Sequence, residues 1–412
     1  MRVRPTAGWL ASLGFVSFFS VVAGARAQAL PAEPIALADG RVTVGGDVSA
    51  TFGSSDPGFF NYTDYDHSAL RMLRIDLAGS AKIGPHVTLL GEIRTENVDS
   101  FTPYALYARI RPWTEHDVDI QVGRIPPTFG AFARRTYAAD NPLIGYPLAY
   151  QYLTTMRPDS LPASADEMLQ KRGLGWKLHY SIGDLGFDRG VPLVTAFRWD
   201  TGVQLHAASG MVGGAVAITT GTLSYPLFSD DNNGRQIAAR LELKPVAGLV
   251  VGSSFARGPF VSSSAVRAAL GDGTASGGDE FTQTAWGADV EYSHDYYLVR
   301  VETIASDWRL PVVKAPALDQ PLRAVSTSIE GRYKVNPGLY VAGRLDHLGF
   351  SDLVGSSATA PWDVPVTRIE IGIGYSIQRN LLLKASYQHN ARDGGVLQRD
   401  EHLEAAQLVF WF

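Results

Sequence analysis

The chain of 412 residues contains no cysteine. Disulfides and thiolate metal sites are therefore excluded. After its N-terminal segment it has no run approaching the roughly 18 apolar residues that a spanning helix needs. Linkers, charge runs and breaks in composition are missing after about Ala38, so the length reads as one large unit rather than several domains. Signatures of chemistry are missing as well. There is no His-Glu-x-x-His, no Gly-x-Ser-x-Gly and no phosphate-binding loop. The run Asp230-Asp231-Asn232-Asn233-Gly234 departs from calcium-loop spacing and has no glutamate at the twelfth position, so it reads as a solvated turn. Gly271-Asp272-Gly273 with Gly277-Gly278 reads as a loop tip. Lysine is sparse, and 36 basic residues face 41 acidic ones. That balance argues against a nucleic-acid partner. Neither an enzyme nor a cofactor is predicted.

What is present is a repeated small pattern. Seven segments place a charge, one mostly apolar residue, then a charge of opposite sign: Arg74-Ile75-Asp76, Glu92-Ile93-Arg94, Arg240-Leu241-Glu242, Arg300-Val301-Glu302, Glu330-Gly331-Arg332, Arg344-Leu345-Asp346 and Arg368-Ile369-Glu370. Residues two apart in a strand share a face. Each segment thus puts two charges on one face and small or apolar side chains on the other. A soluble sandwich with a greasy core would satisfy this pattern, as would a membrane barrel with a watery lumen.

The two ends of the chain favour the barrel. Arg2 and Arg4 precede an apolar stretch from Trp9 to Val22, and Ala25-Arg26-Ala27 and Ala27-Gln28-Ala29 both fit a signal-peptidase site. We expect residues 1–29 to be a cleaved signal, 30–40 an N-terminal periplasmic lead-in, and 41–412 the barrel. At the other end, Leu403 to Phe412 is about as long as a tilted membrane strand. Its Ala406, Leu408, Phe410 and Phe412 alternate on one face. A terminal aromatic on a closing strand resembles the sorting signal of bacterial outer-membrane barrels. It implies recognition of Phe412 by the barrel assembly machinery.

Alternation predicts strands over 41–53, 68–82, 87–97, 101–111, 117–124, 173–182, 192–199, 202–208, 212–224, 235–245, 249–257, 281–293, 296–308, 323–335, 338–348, 366–377, 380–391 and 401–412. The fold class expected is all-β: a transmembrane antiparallel β-barrel of 16–18 strands, the lower count applying if 192–224 holds fewer strands. Short turns at 83–85, 245–248, 294–295, 336–338 and 378–379 alternate with longer polar segments, 98–100 being an exception. This suits short periplasmic turns and long extracellular loops. Tyr296, Tyr297, Trp308, Tyr333, Tyr340, Tyr375 and Trp411 lie near strand ends, where interfacial girdles form.

The third long connector, 125–172, carries Phe129, Phe132, Tyr137, Tyr146, Tyr150 and Tyr152 with Arg134, Arg135 and Asp140. So apolar a segment should pack, and the barrel interior is its nearest surface. Here the chain resembles the porins, whose third loop folds inward and narrows the pore. Val122-Gly123-Arg124-Ile125-Pro126-Pro127-Thr128-Phe129-Gly130 is similar to a strand-to-loop junction of the phosphate- and polyphosphate-selective porins. Those depend on lysine-rich lumens, and this chain departs from them there. The resemblance implies a homotrimer in the outer membrane of a Gram-negative-type bacterium, among lipid and lipopolysaccharide, passing small hydrophilic solutes or ions by diffusion. An anion- or phosphate-selective channel and a plugged structural barrel or adhesin are the alternatives. The constriction is expected at Arg134, Arg135, Asp140, Arg109 and Arg111. The lumen ladder is expected to include Arg94, Arg240, Arg300, Arg332, Arg344 and Arg368, most of its charges pairing across strands.

Overall fold

The structure is a computed structural model that describes residues 33–62, 67–196, 198–227, 229–271, 280–395 and 400–412. The segment expected to be a cleaved signal, 1–29, lies outside the described residues. Strands β1 (Val42–Gly53), β2 (Leu73–Lys82), β3 (Val87–Glu96), β4 (Thr102–Ile110) and β5 (Asp117–Ile125) precede the longest connector. After it come β6 (Asp200–Ser209), β7 (Val212–Thr219), β8 (Gln236–Val246), β9 (Leu249–Pro259), β10 (Thr282–His294) and β11 (Tyr297–Trp308). The last five are β12 (Leu322–Asn336), β13 (Leu339–Phe350), β14 (Val366–Gln378), β15 (Leu381–Arg392) and β16 (Asp400–Trp411). Each pairs antiparallel with its sequence neighbour, and β16 pairs with β1, closing a 16-strand barrel. Ile35–Leu37, within the expected lead-in, pairs with the start of β1.

The two faces separate as the alternation requires. In β14, Arg368 and Glu370 are fully buried while Ile369, Ile371 and Ile373 are 48%, 56% and 45% exposed. The outer face repeats this with Leu241, Val299, Ile329, Val341, Leu345 and Leu408. An exposed apolar surface this continuous is the signature of a lipid-facing band. All connectors at one end are short, such as 247–248, 295–296 and 337–338, and the long ones gather at the other end. Tyr296, Tyr297, Tyr333 and Tyr375 are exposed near the short-turn end, as a girdle requires.

Three aromatics expected in a girdle instead face inward. Trp308 is fully buried, Tyr340 donates its hydroxyl to the Pro142 carbonyl at 3.0 Å, and Trp411 packs beside Ala138 and Val409. Aromatic residues near strand ends suit either face, and the strand phase decides. Two expected strands, 173–182 and 192–199, do not join the barrel. Leu178 and Tyr180 are buried, and Leu193, Val194 and Ala196 join the interior core with aromatic residues of the same connector. Short alternating pieces look alike whether their apolar face meets lipid or a protein core. The connector therefore runs over 126–199, well beyond the expected 125–172. It carries two short helices, α1 (Leu148–Gln151) and α2 (Ala165–Gln170), and a two-stranded ribbon of Ser160–Leu161 with Ile182–Gly183. A third helix, α3 (Ser263–Leu270), lies between β9 and β10. The acidic run at 230–234 is a turn: Asp230 accepts from the backbone of Asn232 and Asn233 and pairs with Arg235.

The face assignment has a direct test. Ile371→Arg is expected to destabilise folding into lipid vesicles by about 2–4 kcal/mol, the cost of a basic side chain at the lipid midplane. Glu242→Gln, on the inner face, is expected to change it little. Denaturant titrations of vesicle-inserted protein measure both, and equal tolerance contradicts the phase.

Candidate functional site: the lumen wall and the segment that crosses it

The register turns the charge doublets into a line across the wall. Glu291 on β10 lies opposite Arg300 on β11, Arg300 opposite Glu330 on β12, Glu330 opposite Arg344 on β13, and Arg344 opposite Glu370 on β14. The signs alternate at every step. Arg300 contacts Glu291 at 2.6 Å and Glu330 at 3.0 Å. Arg344 contacts Glu370 at 2.7 Å, Asp346 at 2.9 Å and Glu330 at 3.5 Å. Arg240 holds Asp289 at 2.7 Å and Glu242 at 2.8 Å. Arg94 pairs with Asp76 and lies 3.6 Å above the Tyr104 ring. Arg332 lies 5.9 Å from the Tyr340 ring. The expected ladder arginines all stand on the inner face; Arg94, Arg240, Arg300 and Arg344 are tied to acids of other strands, whereas Arg368 is held by Asn390 and by backbone carbonyls.

The connector is fastened to this wall on several sides. Gly130 N donates to Ser254 on β9 at 3.1 Å. Ala131 N and the Tyr150 hydroxyl donate to Glu302 on β11 at 2.6 and 2.8 Å. The Tyr137 hydroxyl reaches Glu92 on β3 at 2.6 Å. Ile144 N and Gly145 N donate to Glu370 at 3.3 and 2.9 Å. Lys384 on β15 donates to the carbonyls of Ala138, Asn141 and Leu143 at 2.8, 3.0 and 3.1 Å. Arg368 donates to the carbonyls of Tyr146 and Phe60 at 2.9 and 2.8 Å. Residues 128–146 thus touch inner-face side chains from β3 round to β15. Asp363, in the 351–365 connector, accepts from Thr155 N and Gly173 N, both at 2.8 Å. Around these polar ties, Phe129, Phe132, Tyr150, Trp308 and Trp362 form an apolar core.

The expected constriction residues are only partly brought together. Arg135 contacts Glu330 at 3.3 Å, and with Arg300 it lines a small cavity shared with Asp289, Glu291, Glu302 and Ser328. Burial, with Arg300 nearby, pulls the Arg135 guanidinium below its usual range. Arg134 closes the 3-10 turn Phe132–Arg134, and its side chain lies outside the described residues. Asp140 lies on the connector with its side chain partly accessible, and the burial of the remainder raises its carboxyl above the usual range. Arg109 and Arg111 do not join this group. Arg109 sits opposite Gln121, four residues or about 14 Å along β5 from the connector. Arg111 is exposed beyond the end of β4 at the short-turn end. Adjacency of strands in sequence does not fix height in the barrel. Lys384, Glu302, Glu370 and Asp363 carry the fastening and are not among the expected constriction residues. The first three were legible as inner-face charges, but their partners depend on the path of the connector.

No protein-family model matches the chain, and no curated protein matches it. Among solved structures it is similar to an anion-selective porin from Comamonas acidovorans, at 10% identity and a TM-score of 0.54, over 90% of this chain and 99% of that one. It is similar to OmpF of Salmonella typhi, solved in complex with daunomycin, at 13% identity and a TM-score of 0.53, over 92% and 100% of the two chains. OmpT, an outer membrane protein of Vibrio cholerae in its trimer form, aligns at 10% identity and a TM-score of 0.51, over 90% and 99%. At these identities the likeness establishes the fold, which is that of the bacterial outer-membrane porins. Among the described residues no helix is long and apolar enough to cross a membrane, and the strands carry the apolar band.

The fastening is testable through Lys384. Replacing it by methionine removes one donor from each of three carbonyls in a segment with no regular structure, and an unsatisfied buried polar group costs about 1–3 kcal/mol. Hydrogen exchange across residues 138–146 is expected to accelerate in Lys384→Met, with the strands unchanged. Unaltered protection would show that Lys384 does not hold the segment.

Proposed function

We propose that the protein is a passive channel of the outer membrane, passing small hydrophilic solutes or ions through a lumen narrowed by the 126–199 connector. The observation that carries this reading is the connector's attachment to the inner face on opposite sides of a closed, outwardly apolar barrel. The long-connector end then faces the exterior and its lipopolysaccharide, and the short turns face the periplasm. Export by the N-terminal signal, assembly through the strand ending at Phe412 and a homotrimeric state belong to the same reading. The trimer form of the similar Vibrio cholerae structure supports the last. No catalytic role is assigned to any residue.

The wall supports weak selectivity. Rings of one sign give strong selectivity, whereas here the signs alternate. Phosphate selectivity has little support, because Lys384 already serves three carbonyls. A plugged barrel is the second reading, and the buried aromatic core favours it, with Trp308 and Trp362 fully buried among connector residues.

Single-channel recording in planar bilayers separates the two. The expected result is a small, steady conductance in the wild type. Silence in the wild type, with conductance appearing after removal of residues 137–145, is the outcome for a plug. In a conducting channel Arg135→Glu is expected to move the reversal potential in a salt gradient toward cations, since a fixed charge counts most at a narrow, poorly hydrated point. An unchanged potential would place the permeation path away from Arg135.

A further inference from the structure

We propose that the inner face of β5 and β6, near the short-turn end, binds a divalent transition-metal ion through Asp117, Asp119 and His206. The site is independent of whether the barrel conducts. Asp117 and Asp119 are two apart on one strand and so share its inner face. His206 lies directly opposite Asp119 in the β5–β6 register. One ligand atom from each of the three residues lies within 4.8 Å of the others.

Several observations distinguish this group from an ordinary surface cluster. His206 Nδ1 is shielded from solvent and has no hydrogen-bond partner. Its separation from Asp119 Oδ2 is 3.6 Å, too long for a hydrogen bond. That distance is close to what two ligands show when they share one ion at about 2.0–2.2 Å. Asp119 is only 6% exposed, and its Oδ1 accepts from the Gln121 amide at 2.7 Å. This contact fixes the carboxylate with Oδ2 toward His206, the way an outer-shell partner orients a ligand. Gln121 is 8% exposed and its Oε1 is a further buried acceptor without a partner.

The donor set points to the class of ion. Calcium and magnesium take oxygen ligands almost exclusively. One imidazole with two carboxylates suits zinc, nickel, cobalt or manganese. Asp117 is exposed, so the ion can enter from the lumen and keep water in its remaining positions. On the adjacent strand Arg109 lies opposite Gln121, and Arg111 follows directly after Ile110, which pairs with Ile120 beside Asp119. Among the described residues no ion pair ties either arginine to Asp117 or Asp119, so the charge of the aspartates stays available.

The test uses the full mature chain without a histidine tag, folded in detergent, with zinc as the probe. Isothermal titration calorimetry is expected to show one saturable zinc site per chain that survives excess magnesium. Cobalt is expected to give a visible absorption band that zinc displaces. His206→Ala and Asp119→Asn should each weaken zinc by more than about tenfold, the lower end of what even outer-shell changes cost. His206→Gln keeps the side chain's bulk and serves where alanine prevents folding, which heat-shifted gel migration reports. His402→Ala, on the outer face, is expected to bind as the wild type does. Absence of saturable binding in the wild type overturns the proposal, as does equal affinity in the His206 variants.

Discussion

The pairing of β1 with β16, from Asp47 opposite Trp411 to Gly53 opposite Ala405, is the contact on which the rest of the molecule depends. In a hydrocarbon surround every strand edge must find a partner, because no water is there to satisfy it. Once this last ladder forms, the chain has an inside and an outside, and period-two alternation sends each side chain to one of them. Phe412 contributes beyond the strand itself, exchanging two 3.0 Å backbone hydrogen bonds with Gly46. Without closure, the isoleucines of β14 and the Arg368 and Glu370 that alternate with them would have no distinct environments to occupy.

Inside the barrel, the mixed signs of the wall serve the connector as much as the lumen. Residues 138–146 form no helix or strand, yet they are largely buried, so their backbone groups need partners. Acids supply acceptors for N–H groups: Glu302 for Ala131 and Glu370 for Ile144 and Gly145. Bases supply donors for carbonyls: Lys384 for three of them and Arg368 for Tyr146. A wall of one sign could satisfy only half of these groups. Glu370 also binds Arg344 through its other oxygen, so the strand-to-strand row and the connector share one carboxylate.

Much of this was legible in the sequence. The doublets such as Arg344-Leu345-Asp346 and Arg368-Ile369-Glu370 state the phase of their strands, because opposite faces meet lipid and water. The alternation of signs across strands was not legible, since it depends on register, which a single strand does not encode. The inward path of the aromatic connector followed from its composition, but its true end at about residue 199 did not. Pieces such as 192–199 present apolar residues to a protein core in the same pattern that others present to lipid. Height along the barrel was likewise hidden. Arg109 and Arg135 both carry inward charge, yet one sits opposite Gln121 on β5 and the other against Glu330 on β12.

The connector lies against the inner wall of a closed barrel. The chain has no native cysteine, so a pair of introduced thiols reports on it cleanly. A Cβ at Gly145 would meet the side chain of Gln388 on the inner face of β15. Gly145→Cys combined with Gln388→Cys, in protein folded into vesicles, should be joined within one chain by a short bifunctional thiol reagent, with mass spectrometry identifying the linked peptides. Two thiols that each react singly and are never linked would contradict an interior connector.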